Sequence, residues 1–144
     1  MRVAHLRSGV VLARHGGALR RQLPLFRFGL GGPLGRGRQY LSWIALEDAV
    51  GAIVHALRTP GVHGPLNVCA PGPVTSAEFA RALGRALHRP ARLPAPAAAL
   101  KIVLGAEMTS EMLLASQRAV PAALLASGFA FARPDIDGAL HAVV

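Results

Sequence analysis

The stretch from Gly29 to Ile44, GLGGPLGRGRQYLSWI, contains the residue types that could bind a phosphate. Five glycines occur within residues 29–37, and Arg36, Arg38 and Gln39 lie at the end of that run. Glycines let backbone N–H groups approach phosphate oxygens, and an arginine fork binds anions through parallel N–H groups. The stretch is therefore a candidate anion-binding loop.

This loop fails the two common phosphate motifs when its residues are counted. A dinucleotide fingerprint requires glycine at the position of Leu34, and the glycine spacing of Gly32–Gly37 is followed by Arg38 and Gln39 where a P-loop has Lys and Ser or Thr. Two interpretations stay open. In the first, the glycines only permit tight turns. In the second, Arg36, Arg38 and Gln39 bind an anionic ligand at the start of the next strand.

Other catalytic and metal-binding patterns are missing from the sequence. No serine lies in a GxSxG motif, no HExxH motif occurs, and the six histidines lack ligand spacing. Glu107 and Glu111 stand four residues apart, which suits either acid–base work or a solvated helix start. Cys69 is the single cysteine and has no second thiol for a disulfide or a CxxC site. The sequence therefore predicts no metal site and no catalytic group.

Composition limits the class of protein. The 144 residues are 52% hydrophobic and 16% charged, which predicts a folded chain rather than a disordered one. No apolar run is long enough to span a membrane, and Met1 leads directly into RVAHLRSGVVL without a signal-peptide pattern, so we expect a cytoplasmic protein. The net charge of +9 comes from arginines spread along the chain, and aromatic residues are few, so nucleic-acid binding is not predicted.

The order of predicted elements indicates an α/β fold. Residues 3–12 predict a buried strand, 18–28 a helix that Pro24 bends or interrupts, and QYLSWI a second strand. LEDAVGAIVHALRTPG predicts an amphipathic helix with Val50, Ile53, Val54 and Leu57 on its apolar stripe. A third strand, GPLNVCAPGPV, precedes a helix capped by a Thr75–Glu78 capping box, and mainly helical segments follow. Strands that alternate with helices favour a parallel sheet.

Four stretches together resemble the epimerase-like branch of the extended short-chain dehydrogenase/reductase superfamily. They are LRSGVVLARHGGAL, FRFGLGGPLGRGRQYLSWIALEDAV, GPLNVCAPGPVTSAEFARALGRALHRP and LLASQRAVPAALLASGFAF. The resemblance covers residues 1–144 and only the second half of that family. It implies the last strands of a Rossmann-like parallel sheet with a C-terminal, mainly helical substrate-binding subdomain, and it implies that the dinucleotide-binding first half is absent.

The same resemblance implies where a substrate binds. In that family the segment around SWIALEDAV closes the substrate pocket, so Arg36, Arg38, Gln39 and Tyr40 become candidates for contact with a small, possibly nucleotide-sugar-like substrate. Trp43 belongs either to the core or to the pocket wall. The family uses NAD or NADP and a Tyr-x-x-x-Lys pair, but Tyr40 is the only tyrosine and residue 44, where the lysine would stand, is Ile44.

These observations predict a chain that shapes a substrate pocket without catalysis of its own and without tight binding of NAD or NADP. The first strand would lie inside the sheet of a complete family member, so the isolated chain has an open strand edge. We expect this edge to cause self-association or to accept the missing N-terminal half. The alternative is a stand-alone interaction module that uses the sheet edge and the basic loop.

Overall fold

The computed structural model describes residues 2–29, 31–33, 37–91, 102, 105–107 and 118–144. Strands and helices alternate through the first two thirds of these residues, and helices alone follow. In chain order the elements are β1 (Ala4–Ser8), β2 (Val10–Leu12), α1 (Gly17–Arg27), β3 (Tyr40–Leu41), β4 (Trp43–Ala45), α2 (Leu46–Arg58), β5 (Gly64–Val68), β6 (Val74–Thr75), α3 (Ser76–Leu87), α4 (Ala122–Ala126) and α5 (Ile136–Val143).

Two parallel strand pairs form the centre of the fold. β1 pairs with β5, with Leu6 opposite Leu66, and β2 pairs with β4, with Val11 opposite Ile44. β3 and β6 form a short antiparallel pair beside them. The predicted α/β class with a parallel sheet is confirmed.

Gly9 marks the point where the first strand changes its partner. Its N–H donates to the Val68 carbonyl at 3.0 Å, and the next N–H, of Val10, donates to the Ser42 carbonyl at 2.8 Å. A Cβ on residue 9 would lie 2.8 Å from the Ser42 oxygen, so a glycine is needed for this close approach. The single buried strand predicted for residues 3–12 is therefore wrong. Two short strands occur, and β1 is mostly exposed.

A similar division occurs in the second predicted strand. QYLSWI forms β3 and β4, which Ser42 separates, because its two halves pair with different partners. The predicted first helix is observed as α1, which continues through Pro24, so the interruption predicted there does not occur. Leu19, Leu23 and Phe26 of this helix are buried.

The helix α2 is present where the sequence predicts it but turns a different face to the sheet. The predicted apolar stripe, Val50, Ile53, Val54 and Leu57, is 37–73% exposed. The buried face instead consists of Asp48, Ala49, Ala52 and Ala56. Small alanine side chains let the helix lie close to the strands, and this tight packing outweighs the larger apolar side chains on the other face.

The two sides of the sheet bury separate apolar clusters because neighbouring residues on β4 point to opposite sides. Trp43 and Ala45 join Leu12 in a cluster with α1, α3 and α5. Ile44 joins a cluster with α2 and with Leu124 of α4 on the other side.

Capping residues position the later helices. Thr75 and Glu78 form the predicted capping box at the start of α3. Asp135 caps α5 by accepting the N–H of Gly138 at 2.7 Å. Asp137 pairs with Arg85 of α3 at 2.8 Å and joins the two helices.

Some predicted elements fall outside the described residues. These include most of the segments ARLPAP and AAALKIVLG and the predicted helix SEMLLASQRAV up to residue 117. Within the residues that the structure does describe, no helix has the length and apolar character required to cross a membrane.

Candidate functional site

A cleft lies at the carboxyl ends of β1 and β5. Open parallel sheets bind their ligands outside these strand ends, so this is the expected place for a site. The cleft has a volume of ≈ 320 Å³, and its walls come from β1, β5, the β3–β4 junction and the segment before α4. Its lining residues are Arg7, Ser8, Gly9, Ser42, Asn67, Cys69, Arg118 and Ala119.

Strand pairing brings the first part of the cleft together. Arg7 and Asn67 are register partners in the parallel pair of β1 and β5. Residues directly opposite each other point to the same side of a sheet, so both side chains are available to one ligand. The close approach at Gly9 adds Ser42 from the neighbouring strand pair.

Three hydrogen bonds hold the segment of residues 118–120 against the cleft. The N–H of Ala119 donates to Ser42 Oγ at 3.1 Å, and the thiol of Cys69 donates to the Ala119 carbonyl at 3.5 Å. Asn67 Nδ2 donates to the Val120 carbonyl at 3.3 Å. These contacts place Arg118 at the rim of the cleft, although it is distant in sequence from the strands.

The cleft is suited to an anion. Within the described part of the chain its lining includes two arginines, Arg7 and Arg118, and no carboxylate. The guanidinium carbon of Arg118 lies 5.2 Å from the centre of the Tyr40 ring, a cation–π contact that helps to orient the fork. Two guanidinium groups beside hydroxyl and amide donors are suited to phosphate or carboxylate oxygens.

Cys69 forms part of the wall rather than a reactive group. The residue is 1% exposed, and this burial raises the pKa of its thiol by desolvation. A thiol with a raised pKa stays protonated at neutral pH and is a poor nucleophile. Its observed role is the contact with the Ala119 carbonyl.

The structure places the predicted site residues in different surroundings. Arg38 is exposed, Gln39 and Tyr40 are half-buried, and Tyr40 approaches the cleft through Arg118. Trp43 is 1% exposed, and its Nε1 donates to the Gly72 carbonyl at 2.9 Å, so it contributes to the core on which the cleft rests. Arg36 lies outside the described residues.

The end of the glycine-rich loop is used to start α3. The carbonyls of Gln39 and Gly37 accept the N–H groups of Ser76 and Ala77 at 2.9 Å and 3.1 Å. Gly37 has a positive φ of 71°, and a Cβ there would lie 2.9 Å from the Ala77 Cβ. These bonds pair the first N–H groups of α3 with loop carbonyls, so residues 37–39 form the turn that leads into the start of this helix.

None of the eight residues that line the cleft was among the site residues predicted from the sequence. Arg7 and Asn67 are near the carboxyl ends of strands, a position that could have singled them out. Ser42 and Arg118 have no such local signal, because only tertiary contacts bring them to the cleft.

Metal ligands are not gathered at the cleft or elsewhere among the described residues, which contain no group of three or more His, Cys, Asp or Glu side chains able to hold an ion. His55 is half-buried, and its Nε2 lies 2.8 Å from Ser127 Oγ. Glu107 is exposed, whereas Glu111 lies outside the described residues.

Comparison with known proteins places the chain among epimerase-family proteins. A domain of unknown function, DUF1731, matches residues 95–143. The chain is similar to the epimerase family protein Mb2239 of Mycobacterium bovis, with 50% identity over 139 residues that cover 96% of this chain and 46% of that protein. The chain thus spans about half the length of the curated relatives it matches.

Solved structures give the same assignment. Human epimerase family protein SDR39U1, crystallised with NADPH, is 44% identical with a TM-score of 0.88, and the match covers 99% of this chain and 48% of that one. The nucleoside-diphosphate sugar epimerase of Corynebacterium glutamicum is 31% identical with a TM-score of 0.72, and the match covers 99% and 27% of the two chains. Over almost its whole length the chain is therefore epimerase-like, and it is similar to the C-terminal portion of an extended short-chain dehydrogenase/reductase.

Proposed function

We propose that this chain is the substrate-binding portion of an NAD(P)-dependent epimerase- or reductase-like protein, and that its cleft holds the anionic part of a nucleotide-sugar-like substrate. The observation that carries the proposal is the pair of arginine residues, Arg7 and Arg118, lining one cleft at the carboxyl ends of β1 and β5. Asn67 and Ser42 supply further polar groups there.

The residues of the glycine–arginine loop extend this proposal. Tyr40 holds the Arg118 guanidinium by its ring face, and Arg38 and Gln39 stand just before it in the chain. We infer that Arg36, Arg38, Gln39 and Tyr40 contact the part of the substrate that projects from the cleft. Trp43 supports the strand behind them.

We also propose that the dinucleotide is held by the part of the family fold that this sequence does not span. The human relative was crystallised with NADPH, but this sequence contains neither the cofactor glycine turn nor the Tyr-x-x-x-Lys pair. Among the described residues, the N–H groups of Ser76 and Ala77 at the start of α3 are already bonded to loop carbonyls, which supports this proposal. We expect the chain alone to catalyse no redox or epimerisation step.

Calorimetric titration with UDP-glucose tests the substrate proposal. The wild-type chain should bind it, and Arg118→Ala should weaken binding by about tenfold or more because a charge-assisted contact of about 1.5–3 kcal/mol is lost. Arg14→Ala, which removes an exposed arginine in the turn after β2, is the matched control and should have no effect. Equal affinity of the wild-type and Arg118→Ala chains would refute the assignment, and so would no binding by the wild-type chain.

Titration with NADPH tests the cofactor proposal. The chain should show no tight binding, because the groups expected to hold the dinucleotide are missing from it. Micromolar or tighter binding by the 144-residue chain would contradict the proposal.

A stand-alone interaction module is the second candidate, favoured by the exposure of four of the five residues of β1. Translation of the DNA upstream of Met1 separates the two. An in-frame glycine-rich turn and a Tyr-x-x-x-Lys pair would support the enzyme portion, and unrelated sequence without a partner gene would support the module.

A further inference from the structure

A second cavity lies at the carboxyl-terminal end of α3, and the described residues that line it differ from those of the cleft. Its volume is ≈ 420 Å³, a size suited to a small molecule. We call it the α3 groove and define it by a basic set and an apolar set of lining residues. The basic set is Arg81, Arg85, His88 and Arg89, and the apolar set is Gly84, Pro90 and Ala91.

The turn after α3 forms the apolar part of the groove. His88 has a positive φ of 55°, and the N–H of Arg89 donates to the Gly84 carbonyl at 2.9 Å, so the chain folds back along the helix. A Cβ on residue 84 would lie 2.8 Å from the Arg89 carbonyl oxygen and 3.0 Å from the Ala91 Cβ. Glycine at position 84 therefore lets residues 89–91 lie against α3.

The basic set is larger than helix stability requires. Cations in the last turn of a helix are stabilised by the helix dipole, which accounts for Arg85 and His88. Arg81 stands one turn before Arg85 on the same face, and α3 ends only at Leu87, so the dipole has little effect there. Arg81 also has no hydrogen bond or ion pair with another described residue. Neither cause explains a cation at this position in the groove.

Two other arginines of the groove are held in place by neighbouring helices. Arg85 donates from Nε and Nη2 to Oδ1 of Asp137 in α5, at 3.2 Å and 2.8 Å. Arg89 donates from Nε to the carbonyl of Arg27, at the end of α1, at 3.1 Å. A guanidinium group has five N–H donors, so each of these arginines keeps further donors beyond these bonds. The groove thus presents oriented donors to an anion.

We propose that the α3 groove binds a phosphate monoester attached to an apolar ring. Asp137 offsets the charge of Arg85, so Arg81 and Arg89 leave two positive charges at the groove. A phosphate monoester carries about −1.5 to −2 at pH 7 and offers three acceptor oxygens, so it matches these charges better than a carboxylate does. The ring packs on the apolar set. The proposal adds a second ligand site to the one proposed for the cleft.

NMR titration with phenyl phosphate tests this assignment. In nitrogen–proton correlation spectra of the 144-residue chain at low salt, the amides of residues 84–91 should shift. Phenyl phosphate should bind about tenfold more tightly than inorganic phosphate, because its ring adds apolar burial. It should also bind more tightly than benzoate, which carries a single charge.

Substitutions locate the phosphate. Arg81→Ala should weaken the binding of phenyl phosphate by about tenfold, because a charge-assisted hydrogen bond is lost. Arg58→Ala, which removes an exposed arginine in the last turn of α2, is the matched control and should have no effect. Arg118→Ala, which removes an arginine of the cleft, should also leave the shifts at residues 84–91 unchanged. Circular dichroism checks that each variant is folded.

The position of the shifted amides separates this inference from the proposed function. Absence of shifts, or shifts confined to cleft residues such as Ser8, Asn67 and Ala119, would overturn the α3 groove as a phosphate site. Equal affinity of the wild-type and Arg81→Ala chains would do the same, as would binding of inorganic phosphate or benzoate as tightly as phenyl phosphate. Failure of UDP-glucose to bind the cleft would change none of these results.

Discussion

At the scale of single residues, Asp48 connects α2 to the C-terminal region. It is 3% exposed, and its two carboxylate oxygens accept the N–H groups of Ala132 and Arg133 at 2.8 Å and 2.9 Å. These bonds satisfy a buried carboxylate and fix the segment that follows α4. The residue therefore stabilises the packing of helices rather than a reaction.

Replacement of Asp48 should lower the stability of the fold. Asp48→Ala leaves two amides without their acceptors, and we expect the free energy of unfolding to fall by about 2–4 kcal/mol. Glu47→Ala is the matched control, because the exposed ion pair between Glu47 and Arg133 should contribute less than about 1 kcal/mol to stability. Urea denaturation measures both, and equal losses for the two variants would contradict the role assigned to Asp48.

Cys69 should make stability depend on pH. Burial raises the pKa of its thiol above the ordinary value of 9.0, so above that pH the unfolded chain loses a proton that the folded chain retains. The stabilising contribution is complete below the unfolded pKa and declines as pH rises through it towards the folded pKa.

The comparison with Cys69→Ala isolates this effect. The difference in free energy of unfolding between the wild-type and variant chains should be constant around neutral pH. Above about pH 9 the wild type should lose stability relative to the variant by up to about 1.4 kcal/mol per pH unit. Urea denaturation at several pH values measures the difference. A difference that stays constant up to about pH 10 would exclude a raised pKa.

At the scale of elements, the break between β1 and β2 organises the cleft. Gly9 lets the chain change its pairing from β5 to β4, and this change brings Ser42 beside the end of β1. The cleft thus depends on a backbone contact that no side chain could occupy. An intact strand over residues 3–12 would place different groups at this edge of the sheet.

Gly9→Ala should therefore destabilise the fold. The added Cβ would lie 2.8 Å from the Ser42 oxygen, and relief of this contact requires movement of backbone at a cost of about 1–3 kcal/mol. Gly61→Ala is the control, since a Cβ at that position meets no atom within 4 Å. Thermal denaturation measures the melting temperatures of the two variants. Equal melting temperatures would show that residue 9 does not need to be glycine.

The sequence periodicity of α2 predicted the helix but not which of its faces is buried. A 3.6-residue period identified the helix, and its observed bounds, Leu46–Arg58, agree closely with the prediction. The larger apolar side chains nevertheless face outward, and alanines face the sheet. Periodicity reports that a helix has an apolar side, but the space available between helix and strands decides which side is buried.

At the scale of the whole molecule, the open edge of β1 and the exposed apolar side chains of α2 should make the isolated chain associate with itself. These side chains are Leu46, Val50, Ile53, Val54 and Leu57. Exposed apolar surface favours association, whereas the net charge of +9 opposes it. Salt screens the charge more strongly than it affects apolar contacts, so association should increase between about 0.1 M and about 1 M salt. Sedimentation velocity over a range of concentrations measures this.

The double variant Ile53→Glu, Leu57→Glu is the control for that experiment and should remain monomeric under the same conditions. A wild-type chain that sediments as a cooperative monomer at every concentration and ionic strength would contradict the expectation. A variant that associates as strongly as the wild type would instead place the contact on another surface.

What the sequence determined by itself was local or shared with relatives. The alternation of strands and helices and the capping box at Thr75 each depend on neighbouring residues, and the stretches around SWIALEDAV carry the family resemblance. Only the tertiary structure decided that Arg7, Asn67 and Arg118 share a cleft and that α2 leaves its large apolar side chains uncovered. These features arise from strand pairing and close packing between residues distant in the chain, which local spacing does not encode.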